Sequence, residues 1–148
     1  QALVRLCGFV EANGGSARLA LELFLDCANE AQRDGLKKVT VDVVNEVLKN
    51  REREILLRRL HELRSESPKV FKVLRAVAEL EAEGKQVYTG LIEVTLKRKG
   101  LKVSRRSLEY YLNELRRQGF VELRRTRVGR GFTSGVMLRI DSKIFHEL

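Results

Sequence analysis

Ser104-Arg105-Arg106-Ser107-Leu108-Glu109-Tyr110-Tyr111-Leu112-Asn113-Glu114-Leu115-Arg116-Arg117-Gln118-Gly119 is the stretch that decides the fold of the second half of the chain. Leu108, Tyr111, Leu112 and Leu115 recur at i, i+3, i+4, i+7, the spacing of one buried helix face. Ser104 suits the cap of such a helix, and Gly119 suits the residue that follows it. On the opposite side Arg106, Tyr110, Asn113 and Arg117 fall at i, i+4, i+7, i+11. That places two cations, an amide and an aromatic ring on one outward stripe.

Downstream the periodicity changes from helical to two-residue. Val121, Leu123 and Arg125 alternate with Glu122 and Arg124, and Val136, Leu138 and Ile140 alternate with Met137 and Arg139, the pattern of two strands. Gly129-Arg130-Gly131-Phe132-Thr133-Ser134-Gly135 between them is expected to form a glycine-rich hairpin tip. Upstream, Thr89 is expected to cap a helix ending near Lys99, and Gly100-Leu101-Lys102-Val103 leads from it to Ser104. Gln86-Val87-Tyr88 reads as a very short strand. Earlier still, Ser67 is expected to cap a helix over 68–82 with Pro68 in its first position, where a missing N–H costs nothing. Val70, Val73, Leu74, Val77 and Leu80 would face inward from it. Three helices and then a two-stranded hairpin is the order of a winged helix-turn-helix.

The first half reads as helices only. Leu3, Val4, Leu6, Cys7 and Val10 recur at helical spacing until Asn13-Gly14-Gly15 breaks the run. A long helix follows over 16–33, with Leu19, Leu23, Cys27 and Ala31 as its stripe, widened by Ala20, Phe24 and Ala28. Asp34-Gly35 ends it. Thr40 is expected to cap 41–48, and a charged helix over 51–64 to connect the halves, with Ile55, Leu56, Leu60 and Leu63 on its apolar edge. Ser65-Glu66-Ser67-Pro68 marks the border, giving a helical domain over 1–65 and a second domain over 66–148. Cys7 and Cys27 lie on apolar sides without a CxxC or Cys/His cluster, so buried free thiols are expected and no metal site.

Charge separates the two halves. Residues 1–66 carry 11 Lys/Arg against 11 Asp/Glu, whereas 67–148 carry 18 against 9. From Lys97 to Arg139 the balance is 13 basic residues to three acidic ones, Glu109, Glu114 and Glu122. A polyanion is the expected partner of this half. In the helix-turn-helix order the second helix enters the major groove of duplex DNA. Its contacts are expected from Arg105, Arg106, Tyr110, Asn113 and Arg117, since Arg forks match guanine or phosphate and Asn matches adenine. From the hairpin come Arg124, Arg127, Arg130 and Thr133, with Arg125 also near the tip. An Arg on a thin wing suits the narrow, electronegative minor groove of A·T-rich DNA. Phe132 admits two readings, folding back on the core or touching sugars at the groove edge.

Gly15-Ser16-Ala17-Arg18-Leu19-Ala20-Leu21 resembles the lid segment of the archaeal origin-recognition and cell-division-control replication initiators, AAA+ ATPases that end in a helical lid and a winged helix. Asp34-Gly35-Leu36-Lys37-Lys38-Val39-Thr40-Val41-Asp42-Val43-Val44 is similar to the same lid further on. Ser16 stands where that family usually has aspartate, and it keeps a residue able to cap the helix. The resemblance implies a mainly α fold, an AAA+ lid-like bundle followed by a winged helix-turn-helix with a small β-hairpin. It implies that Arg18 is the sensor-2 arginine, reporting ATP against ADP (with magnesium) in the full-length protein. It also implies binding at replication origins, help in loading the replicative helicase, and a cytoplasmic, nucleoid-associated location.

The phosphate loop GxxxxGK[ST] and the paired acids of an ATPase core are absent from these 148 residues, so no ATP hydrolysis or bound cofactor is expected of them. His61 and His146 are isolated, which leaves no catalytic set. No run of 18 uncharged apolar residues exists to span a membrane. The amphipathic pattern begins at Gln1 itself, which suggests a piece of a longer protein. The competing reading is a transcription regulator whose first 64 residues dimerise or bind an effector. A winged helix devoted to protein contacts, and a branch-migration motor with a similar lid, rank below the initiator.

Overall fold

In the computed structural model, which describes residues 1–148, the first unit is built from α1 (Ala2–Ala12), α2 (Ala17–Arg33) and the start of α3 (Val41–Glu66). Ser16 caps α2, its Oγ accepting the Leu19 N–H at 3.4 Å, and Thr40 caps α3 by accepting from Val43 N–H at 3.3 Å. Gly35 takes φ +68° after α2, a conformation that L side chains rarely adopt. Leu6 and Val10 of α1, Leu23, Cys27 and Ala31 of α2, and Val43, Val44 and Val47 of α3 form one core. Burial pushes the Cys27 thiol pKa up, as expected for an inert core cysteine.

Two expectations fail here. Cys7 is exposed, because Leu6 and Val10, one turn apart, set the inward face of α1 and Cys7 lies about 100° round from it. Phe24 and Ala28 also point outward, as do Leu21 and Leu25, so α2 is apolar on a second face that the core does not use.

The helices expected over 41–48 and 51–64 are one helix of 26 residues. Lys49-Asn50 contains neither glycine nor proline to stop it, and Arg51 reaches Glu22 at 2.6 Å and Glu54 at 3.5 Å. Contacts divide the chain after Leu56, so the last turns of α3 group with the second unit, Leu57–Leu148. Leu60 and Leu63 are buried there, and the Arg59 guanidinium lies 4.6 Å from the centre of the Phe120 ring.

The second unit continues with α4 (Pro68–Ala82), α5 (Thr89–Arg98), α6 (Arg105–Arg117), β1 (Val121–Val128) and β2 (Gly131–Leu138), the winged helix-turn-helix order. Ser67 does not cap α4 with its side chain. It is the single residue between two helices. Its N–H closes α3 on Leu63 C=O at 2.9 Å and its C=O opens α4 by accepting from Phe71 N–H at 3.0 Å. Thr89 is likewise no cap. It is the buried first residue of α5, and its Oγ1 donates to the Ser134 carbonyl at 3.3 Å. Gln86-Val87-Tyr88 shrinks to a single bridge, Tyr88 opposite Gly135, beside a 2.9 Å bond from Val136 N–H to Val87 C=O. These contacts tie β2 to the entry of α5.

Toward the tip the strands run further than expected, while β2 ends at Leu138, short of the Arg139 and Ile140 expected in it. Arg125 pairs with Ser134, Arg127 with Phe132 and Val128 with Gly131, so only Gly129-Arg130 remains as the tip. Gly129 at φ +59° begins a two-residue turn of the kind that matches strand twist. After β2 a 3-10 helix, Ser142–Glu147, buries Ile144 and sets the Phe145 ring 6.2 Å from Phe71 of α4.

Candidate nucleic-acid interface

Helix α6 divides its residues sharply. Leu108, Leu112 and Leu115 are buried at 0–1% exposure, whereas Arg106, Tyr110, Asn113 and Arg117 on the other side are exposed. Ser104 accepts the Ser107 N–H at 3.1 Å and so fixes where the helix starts, while Gly119 at φ +79° follows its end. Arg59 donates to the Gln118 carbonyl, holding that end as well. The outward stripe therefore stands on a helix secured at both termini.

The stripe is partly engaged with itself. Arg117 Nη2 donates to Glu114 Oε1 at 2.6 Å, and Gln118 Nε2 donates to the same oxygen at 2.9 Å. The Arg117 bond, then the Gln118 bond, hold the Glu114 carboxyl below the ordinary carboxylate range. Asn113 Nδ2 donates back to Glu109 C=O at 3.0 Å, leaving its oxygen open to a donor. Tyr110 is 67% exposed and meets Tyr111 edge-on at 6.0 Å. Arg105 pairs with Glu93 of α5 at 3.3 Å.

The wing carries the remaining expected residues. Arg124, Arg127 and Arg130 are exposed, and Thr133 is half-buried. Arg124 pairs with Glu122 at 2.7 Å, which holds the Glu122 carboxyl low. Arg105 and Glu109 of α6 and Arg124 and Thr133 of the wing line one open cleft of about 460 Å³. Arg106, Arg127 and Arg130 are unpaired and stand toward solvent. Phe132, left open between two readings, is 63% exposed and lies under the Arg125 guanidinium at 4.5 Å. It does not fold back on the core.

Of the sites read from sequence, Arg18 alone lies in the first unit. It sits in the first turn of α2 with its side chain 87% exposed, and its Nε bonds Glu22 at 3.0 Å. Glu30, Asp34 and Glu46 bring carboxylate oxygens within 4.8 Å of one another, a grouping no local spacing suggested. Arg33 already pairs with Glu30 at 3.1 Å.

No protein-family model matches the chain, and no curated protein matches it. Solved structures do. The Aeropyrum pernix ORC1 protein in complex with DNA superposes at a TM-score of 0.72 with 28% identity, over 97% of this chain and 39% of that one. The chain resembles the carboxy-terminal part of an archaeal ORC1 protein. An ORC2 protein of the same organism, solved as ADPNP and ADP complexes, gives a TM-score of 0.49 and 20% identity over 93% of this chain and 35% of that one. The chain thus spans about two fifths of the ORC1 protein it matches. No helix of it is long and apolar enough to cross a membrane.

Proposed function

We propose that this chain binds double-stranded DNA through its winged helix, as the lid and winged-helix portion of a replication initiator. The observation that carries the reading is the exposed stripe Arg106, Tyr110, Asn113 and Arg117, set opposite the buried Leu108, Leu112 and Leu115 of α6, with Tyr111 half-buried beside them. In the major groove such a stripe offers forks for guanine or phosphate and an amide for adenine. The positive end of α6, with the Arg105 and Arg106 N–H groups that the Ser104 cap leaves open, would favour a phosphate. Arg127 and Arg130 on the wing would reach a neighbouring groove edge, where arginine is drawn to negative potential. Likeness to a protein solved on DNA supports the same reading.

In the full-length protein ATP or ADP with magnesium would be the bound group, and this chain would offer it Arg18. The fit is good. The bond to Glu22 engages Nε and leaves both amino groups of the guanidinium open to a phosphate. Apolar Leu21 and Leu25, exposed on the same helix, suit packing against an ATPase domain. A phosphate held by Arg18 would let the lid respond to nucleotide state. Origin recognition and recruitment of the replicative helicase are the tasks this architecture would serve.

Fluorescence anisotropy across a salt series tests the proposal, using an A·T-rich duplex, a scrambled duplex and a single strand. Duplex should be preferred, and log K should fall with log salt at a slope of about 0.9 per phosphate neutralised. The double variant Arg106→Ala, Arg130→Ala should lose a few kcal/mol of binding, roughly two powers of ten or more. Unchanged affinity in that variant would remove the groove assignment.

A further inference from the structure

A single exposed aromatic ring needs no explanation by itself. Phe132 is singled out by its neighbour. In the β1–β2 ladder Arg125 is paired with Ser134 and Arg127 with Phe132, so Arg125 and Phe132 are diagonal neighbours on one face. Side chains alternate along a strand, and nearer the base this same face turns Leu123 and Val136 toward the core. The face therefore leaves the core and continues outward as Arg125 and Phe132, both bordering the cleft between the wing and the start of α6.

The other cleft arginines are neutralised. Arg105 pairs with Glu93 and Arg124 with Glu122. Arg125 is held by a ring instead of a carboxylate, with its guanidinium carbon 4.5 Å from the Phe132 centroid. Such a contact takes up no carboxylate, so the N–H donors of Arg125 keep no anionic partner. It also restrains a long side chain that would otherwise lose rotamer freedom on binding. The outcome is a full positive charge, already positioned, with its donor fork free.

We propose that Phe132 is a positioning residue, which holds Arg125 ready to take a phosphodiester of duplex DNA through its donor edge. The inference rests on the duplex-binding reading above. A planar fork matches two phosphate oxygens at once, and a phosphate contact carries no sequence preference. Phe132 then contributes through Arg125 and makes no separate contact with DNA.

The test is a double-mutant cycle, read by anisotropy on the A·T-rich and scrambled duplexes across salt, with thermal melts to confirm that every variant is folded. Phe132→Ala and Phe132→Leu should each weaken binding about three- to tenfold, equally on both duplexes, because the restraint on one side chain is lost. Phe132→Tyr, which keeps the ring, should bind like the parent. Arg125→Ala should weaken binding and lower the salt slope by about one phosphate's worth. Adding Phe132→Ala to Arg125→Ala should then cost nothing more. The proposal is overturned if Phe132→Ala binds like the parent, if its loss persists without Arg125, or if the losses differ between the two duplexes. Absence of duplex binding by the parent chain is a separate result. It would remove the duplex-binding reading and this inference with it.

Discussion

A Cβ placed on Gly135 would stand 2.0 Å from Thr126 Oγ1, 2.9 Å from Thr126 Cβ and 3.3 Å from the Arg124 carbonyl. The same residue bridges Tyr88 on its other side, so the wing is seated where β2 has no side chain. Gly135→Ala should destabilise the chain by about 1–3 kcal/mol in chemical denaturation, the usual cost of overpacking. Thr126→Ala in the same chain should recover part of that loss. An unchanged midpoint for Gly135→Ala would mean that the ladder slides to make room. Nothing local marks this glycine. It sits in a glycine-rich run that reads as tip, and only the register of two strands reveals what faces it. Thr89 and Ser67 mislead for a similar reason. Each has the chemistry of a cap, yet Thr89 is claimed by a carbonyl 45 residues away and Ser67 is squeezed between two helices. Ser16, Thr40 and Ser104 meet no such competition, and they cap as expected.

Elements were legible where periodicity and punctuation agree. Helix α6 follows from its leucine spacing, Ser104 and Gly119, and α4 from Pro68 and its valines. Helix α3 looks like two helices in the sequence because its apolar spacing fades where its charged residues begin, although nothing there breaks a helix. Strand β2 starts earlier than its glycines suggest, because the backbone ladder carries it through Gly131 and Gly135. Two element-level ion pairs temper the basic face, Glu114 with Arg117 on α6 and Glu122 with Arg124 on β1. Both carboxyls are held below the ordinary 4.5 by those arginines. A depressed carboxyl stabilises the fold above the unfolded value and loses that contribution as pH falls through the folded one. Two consequences follow once the pH has fallen through those lowered values. These links weaken, and Arg117 and Arg124 become free for phosphate. Duplex affinity should therefore rise on acidification, and Glu114→Gln should raise it at neutral pH with a steeper salt dependence. A lower affinity for Glu114→Gln would mean that the carboxylate orients Arg117 for its contact.

At the scale of the molecule, the order of elements and the split in charge were readable because both are properties of long stretches. Leucines at helical spacing, then a change to alternation, then an arginine-rich turn, leave few architectures open. How wide each buried face is was less legible: Leu23, Cys27 and Ala31 are buried as the spacing of α2 implies, whereas Phe24 and Ala28 beside them stay exposed. Helix α3 has one more consequence. It carries five arginines between Arg51 and Arg64, each a site for trypsin, along the stretch that joins two separate cores. Proteases need several residues of extended backbone, and an intact helix denies them that. Brief digestion should therefore cut first at Lys37-Lys38, in the turn between α2 and α3, and at Arg130 on the wing tip, and spare α3. Early fragments ending at Arg58 or Arg59 would show that the helix opens. If it stays closed, the stretch between the two units will come out of the protease uncut despite its five arginines.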